Sequence, residues 1–114
     1  MNNAEWKALI EARIAELVES SADSRDDRAP VQLDQTLQGR LSRIDAIQGQ
    51  AMAQATELRR QRQIAALKAA FARIECGEFG ECIECGESIA DKRLLVHPAV
   101  TLCIACAEAG EGAA

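Results

Sequence analysis

Apolar residues return every three or four positions along most of the chain. Trp6, Leu9, Ile10, Ile14, Leu17 and Val18 keep this step, while Glu5, Lys7, Glu11, Arg13, Glu16 and Glu19 take the other positions. The pattern predicts an amphipathic helix over about 3–20, with Asn2 and Glu5 placed as in a capping box. Trp6 reads as a residue of the packed seam. Between 21 and 33 the rhythm stops: Asp23, Arg25, Asp26, Asp27 and Arg28, then Ala29-Pro30, make a charged, acidic turn. The rhythm resumes with Asp34 in the position of an N-cap and continues to about Cys76, where Gly77 supplies a C′ stop. A helix over about 34–76 is roughly 65 Å long at 1.5 Å per residue.

That long helix carries two apolar seams. Leu37, Leu41, Ile44, Ala51, Ala55 and Leu58 form the first, and Ile64, Leu67, Phe71 and Ile74 the second, displaced by about two heptad positions. Arg59, Arg60 and Arg62 lie at the changeover and read as a solvated face. Seams of this kind suit an antiparallel helical hairpin or coiled coil over 1–76. Two faces ask for two packing partners, and the first helix is too short for both. Either it covers the distal seam, leaving the other for a following module or a second copy, or the helix kinks near Gly49.

Composition sharpens this picture. Only 3% of the 114 residues are aromatic, which suits slender helices better than a thick core. The formal net charge is −5, and a zinc ion on four thiolates would take it to about −7. Duplex DNA binding, which leans on Lys and Arg against phosphates, is therefore not expected. No apolar run reaches the ~20 residues of a membrane span, and no secretory leader pattern opens the sequence, so a cytoplasmic location is the expectation.

The candidate chemistry lies in Cys82-Ile-Glu-Cys85-Gly86 and Cys103-Ile-Ala-Cys106, two CxxC pairs separated by seventeen residues. Each pair can aim two sulfurs at one ion, and two pairs close a tetrahedral shell, which is the spacing of a structural zinc site. Disulfides would need an oxidising compartment. A redox CxxC belongs in a βαβ setting that is missing here, and the small two-knuckle loops favour zinc over an iron–sulfur cluster. With Cys82, Cys85, Cys103 and Cys106 as ligands no coordination position stays open, so the metal is expected to hold structure and no enzyme activity is expected. A finger over 77–110 and a tail over 111–114 follow. Ile89, Leu94, Leu95 and Val96 read as an apolar floor, and Lys92 and Arg93 as cations near the thiolates. His97 reads as a spare imidazole, Cys76 as a free thiol, and a short helix from Cys103 ends at Gly110.

The segment Glu78-Phe79-Gly80-Glu81-Cys82-Ile83-Glu84-Cys85-Gly86-Glu87-Ser88-Ile89, with Arg93-Leu94, Pro98 and Leu102-Cys103-Ile104-Ala105-Cys106, resembles the four-cysteine zinc finger of the DksA/TraR family. The likeness is close over 75–107 and architectural before it. The resemblance implies a mostly α protein: a helical hairpin, then a small treble-knuckle-like finger with a short C-terminal helix. It also implies a bacterial transcription regulator that binds RNA polymerase rather than DNA, inserting an acidic hairpin tip into the secondary channel. Some members act with the alarmone ppGpp, which nothing in these residues supports. The family's tip pattern is Asp-x-x-Asp-x-Ala. Here Asp27-Arg28-Ala29 fits its second half with Ser24 at the first aspartate, whereas Asp23 and Asp26 fit the other phase with Ala29 one residue late. Asp23, Asp26, Asp27 and Ala29 are thus the candidate tip. The main alternative is a structural or stress-related zinc protein acting by protein contact or self-association, and a thiol redox sensor using Cys76 stands behind it.

Overall fold

Most of the three-and-four spacing becomes helix. The computed structural model describes residues 1–28 and 40–112, with residues 40–42 and 111–112 described by backbone alone. Helix α1 spans Asn3–Asp23, α2 Arg25–Arg28, α3 Arg40–Cys76, α4 Asp91–Val96 and α5 Ile104–Gly112. Among the described residues the one β feature is an isolated antiparallel bridge between Glu81 and Ser88. The fold is mostly α: a helical hairpin followed by a four-cysteine finger that ends in a helix. Asp34, Leu37 and Ala29 lie outside the described residues. Part of the expected turn is helical, since α1 runs on to Asp23 and α2 follows at once. Helix α3 is uninterrupted across Gly49.

The chain divides into two compact units, Met1–Ile14 with Ala65–Ala114, and Ala15–Ile64. In the first, Asn2 Oδ1 accepts the Glu5 N–H at 2.9 Å and caps α1. One turn on, Trp6 and Ile10 are buried, Ile10 completely, as are Leu67, Ala70 and Ile74 of α3 and Cys82, Ile89 and Leu94 of the finger. Trp6 stacks obliquely on Phe79 with ring centroids 5.3 Å apart, and the Lys7 ammonium lies 5.4 Å from the Phe71 ring centre. Arg13 donates to the Leu95 carbonyl at 3.1 Å and to Val96 at 3.5 Å, satisfying carbonyls that end α4. Leu94 alone of the expected floor residues of α4 is buried. Leu95 and Val96 are exposed, because a single helical turn cannot aim three consecutive side chains the same way.

The second unit departs most from the sequence pattern. Counting back from buried Ile64, the shielded positions of α3 are Arg60, Glu57, Ala53, Gln50, Ala46 and Arg43, an unbroken alternation of four and three. The seam of the second apolar block therefore continues in phase along α3 with largely polar residues. Ile44, Ala51, Ala55 and Leu58, expected to pack as a seam, are exposed, Ile44 by 45% and Leu58 by 54%; Ile47 and Met52 are exposed beside them. The physical reason is that α3 does not break, so residues two heptad positions out of phase cannot rotate onto the shielded side. Arg60 is likewise not on a solvated face: Glu57 accepts bonds from Ser21 Oγ at 2.5 Å, Arg28 at 2.9 Å, Arg60 and Gln61.

Truncating the two kinds of apolar residue should separate them. Ile10→Ala is expected to lower stability by about 2–5 kcal/mol, read by urea unfolding through Trp6 fluorescence. Leu58→Ala should change it by no more than about 0.5 kcal/mol. Equal losses would mean that Leu58 is not exposed as described.

Candidate metal centre and acidic turn

The finger is set up by the end of α3. Gly77, at φ 77°, takes the left-handed C′ position; its N–H donates to Ile74 O at 3.2 Å and the Glu78 N–H to Arg73 O at 2.9 Å. This pair of bonds is a Schellman stop, and it turns the chain off the helix toward the first knuckle. There Cys82 N–H donates to Glu87 O at 2.8 Å and Gly86 N–H to Cys82 O at 2.9 Å. Gly86, at φ 76°, lets the loop close beneath the sulfurs. The Ile83 N–H reaches Thr101 O at 2.9 Å, which fastens the first knuckle to the strand of chain entering the second. Arg93 Nε donates to Leu102 O at 3.2 Å and so braces that chain one residue before Cys103. Cys103 precedes α5 and its Sγ accepts the Cys106 N–H at 3.5 Å, a sulfur acting as a helix cap.

These turns bring Cys82, Cys85, Cys103 and Cys106 together, with every sulfur within 4.8 Å of the others. Cys85 and Cys103 Sγ are 3.7 Å apart. A regular tetrahedron with zinc–sulfur bonds of about 2.3 Å has edges of about 3.8 Å, so the cluster fits a zinc ion. The thiols differ in character. Backbone hydrogen bonds from Cys103, then Cys85 and Glu84, favour the Cys82 thiolate over the effect of its burial and hold its pKa at about 6. Cys106 is pushed well up, first by its hydrogen bond with Cys103 and then by those with Cys82 and Cys85. At Cys85 a backbone hydrogen bond from Glu87 and a contact with Cys106 favour the thiolate, but desolvation and the sulfurs of Cys82 and Cys103 outweigh them and raise this thiol as well. Four sulfurs this close resist carrying four negative charges. A dication removes that resistance and displaces the protons, so the centre holds one structural zinc. Cys76, the last residue of α3, is exposed and outside the cluster, and His97 is exposed and outside it too.

The acidic turn is described in part. Asp23 ends α1, Asp26 and Asp27 lie within α2, and all three are exposed; Ala29 is outside the described residues. Ser24 and Arg28, between and beyond them, face inward. Arg28 Nη1 contacts Ser21 O at 2.8 Å, Ser24 Oγ at 2.7 Å and Glu57 Oε2 at 2.9 Å. The hydrogen bond from Ser21, then those from Gln61 and Arg60 and the charge of Arg28, hold the Glu57 carboxyl down at about 2. Extending the second apolar seam back from Ile64 by four and seven residues would have found Arg60 and Glu57; no local motif marks Arg28.

Three comparisons bear on this geometry. Residues 74–111 match the family model described as the prokaryotic dksA/traR C4-type zinc finger. Among curated protein sequences none matches the chain. Among solved structures, that of transcription factor DksA2 from Pseudomonas aeruginosa is similar over 96% of this chain and 83% of its own, with a TM-score of 0.78 at 23% identity. That likeness is one of fold.

The ligand set has a direct check. Freshly isolated protein should carry one zinc per chain by elemental analysis, and Cys103→Ser should lose stoichiometric metal. Structural zinc binding supplies roughly 10–16 kcal/mol of folding free energy in small peptides. Stripping the ion with a chelator should therefore disorder the finger, free Phe79 and shift Trp6 emission to the red. A Cys103→Ser protein with full zinc occupancy and unchanged emission would show that the ligands are wrong. Acid should act through two separate groups. Protons displace zinc from the thiolates as pH falls. Glu57, whose folded pKa lies below its unfolded one, stabilises fully above about pH 4.5 and loses that contribution as pH falls toward about 2. Circular dichroism of a Glu57→Gln variant should show a smaller loss of helix across that window than the wild type.

Proposed function

From the match of residues 74–111 to the dksA/traR C4-type zinc finger we propose that the protein is a transcription regulator that binds RNA polymerase through its helical hairpin rather than binding DNA. The observation that carries the reading is the pairing of this finger with an exposed acidic turn, Asp23, Asp26 and Asp27, on a hairpin of the DksA2 fold. DksA2 is itself named a transcription factor. The charge balance of −5 supports a protein partner over nucleic acid. The zinc site supports action by binding rather than catalysis, since four cysteine sulfurs fill the ion's coordination shell. A cytoplasmic location belongs to this reading, because that is where such a polymerase works.

A second reading has its own observation: Ile44, Ile47, Met52 and Leu58 are exposed on α3, Met52 by 72%. Ile44, Ile47 and Leu58 fall on one side of the helix, three and then eleven residues apart, and would suit pairing with a second copy of the chain. The two readings divide cleanly. Under the first, the purified protein retains RNA polymerase from cell extract, and Asp27→Asn weakens that binding at least about tenfold, or 1.4 kcal/mol, with zinc content and helix unchanged. Under the second, light scattering gives a mass that doubles with concentration, and Ile47→Lys returns it to the monomer. No retained polymerase together with a concentration-dependent mass would replace the first reading by the second.

A further inference from the structure

The four-residue helix α2 buries no side chain. A helix this short is far below the roughly 12–15 residues at which an isolated helix becomes even marginal in water. Apolar packing by its own side chains therefore does not hold α2. What the structure puts in its place is a set of directional contacts made by its last residue. Arg28 Nη1 meets Ser21 O, Ser24 Oγ and Glu57 Oε2 within 2.9 Å. Ser21 O is one of the unsatisfied carbonyls of the last turn of α1, a turn that carries no basic residue of its own. Ser24 Oγ in turn bonds Ser21 O at 3.3 Å and accepts from Arg60 at 3.2 Å. Arg60 also pairs with Glu57. The three charged side chains are only 15–20% exposed, so salt screens them less than surface pairs.

We propose that Glu57, acting through Arg28 and Arg60, is a positioning residue that holds α2 and thereby presents Asp26 and Asp27 as an ordered pair of carboxylates to the protein partner. The proposal rests on the polymerase reading above for the identity of that partner. The physical argument is pre-organisation. Exposed carboxylates on a loose turn must be ordered on binding, and that loss of freedom is subtracted from the affinity. A turn ordered beforehand avoids it. Ser24, which stands where the tip pattern has an aspartate, fits this division of labour: its hydroxyl belongs to the anchor, and the flanking Asp23, Asp26 and Asp27 face solvent.

The test measures the anchor and the binding separately. In zinc-loaded full-length protein, Glu57→Gln and Arg28→Gln should speed hydrogen exchange at amides 22–28 by about tenfold or more, leaving amides 67–74 unchanged. Both should weaken polymerase binding by about tenfold, although neither removes an acidic residue of the turn. Arg28→Lys is the rescue: only one guanidinium nitrogen makes the three contacts, and an ammonium has three donors. It should restore most of the protection and of the affinity. Unchanged exchange in both glutamine variants would overturn the proposal. So would faster exchange with undiminished affinity for a polymerase that Asp27→Asn no longer binds. Should Asp27→Asn bind as well as the wild type, it is the polymerase reading that falls, and the exchange rates still decide whether Glu57 holds the turn.

Discussion

Thiolates repel one another, and four of them within 4.8 Å share so small a volume only around a cation. The finger depends on that condition because it has little else. Its buried apolar residues are few, with Ile89 and Leu94 beside the metal ligand Cys82. A core this small does not offset the conformational entropy of about forty residues. The ion supplies what the core lacks. It also governs more than its own knuckles: Phe79, one turn before Cys82, is the surface on which Trp6 stacks, and α4 receives Arg13. The N-terminal half of α1 thus shares one packed unit with the finger, and the metal's influence extends to residues more than seventy positions away in sequence.

How much of this was legible depended on the range of the interaction concerned. The metal ligands were, because a CxxC knuckle is a local device and Gly86 sits where the loop must close. The Gly77 stop and the Asn2 cap were legible for the same reason. Trp6 as a seam residue followed from helical spacing, though its partner Phe79 did not. The distal seam misled. Ile44, Ala51, Ala55 and Leu58 have the right rhythm, but rhythm defines a stripe and not what faces it. Which stripe is shielded depends on the phase carried along the helix from Ile64, and the residues that carry it, Arg60, Glu57 and Gln50, look in sequence like a polar interruption. Nor does any local pattern show that Arg28 and Arg93 each reach a backbone carbonyl.

Helix α3 thus presents unlike faces within one unit. Toward the shielded side it offers small and polar residues, Ala46, Gln50, Ala53, Glu57 and Arg60, and toward solvent it offers Ile44, Ile47, Met52 and Leu58. Polar contacts between half-shielded helices contribute little net stability compared with apolar burial. The unit Ala15–Ile64 is therefore expected to sit at the low-stability end of the molecule, where elements that meet partners are commonly found.

What polar contacts supply instead is register. Alanines such as Ala46 and Ala53 tolerate sliding of one helix along another, since each offers the same methyl surface. Glu57 does not. Its carboxylate is shared among Ser21, Arg28, Arg60 and Gln61, and a shift of one turn would leave two guanidinium groups without their anion. Breaking such a cluster is costlier than its net contribution suggests, because the partners left behind are half-shielded charges. A weak seam can in this way be a well-registered one. For α2, Arg25–Arg28, which has no apolar residue to bury, a registered anchor fixes the carboxylates of Asp26 and Asp27 where an apolar seam alone would fix only the helix that carries them.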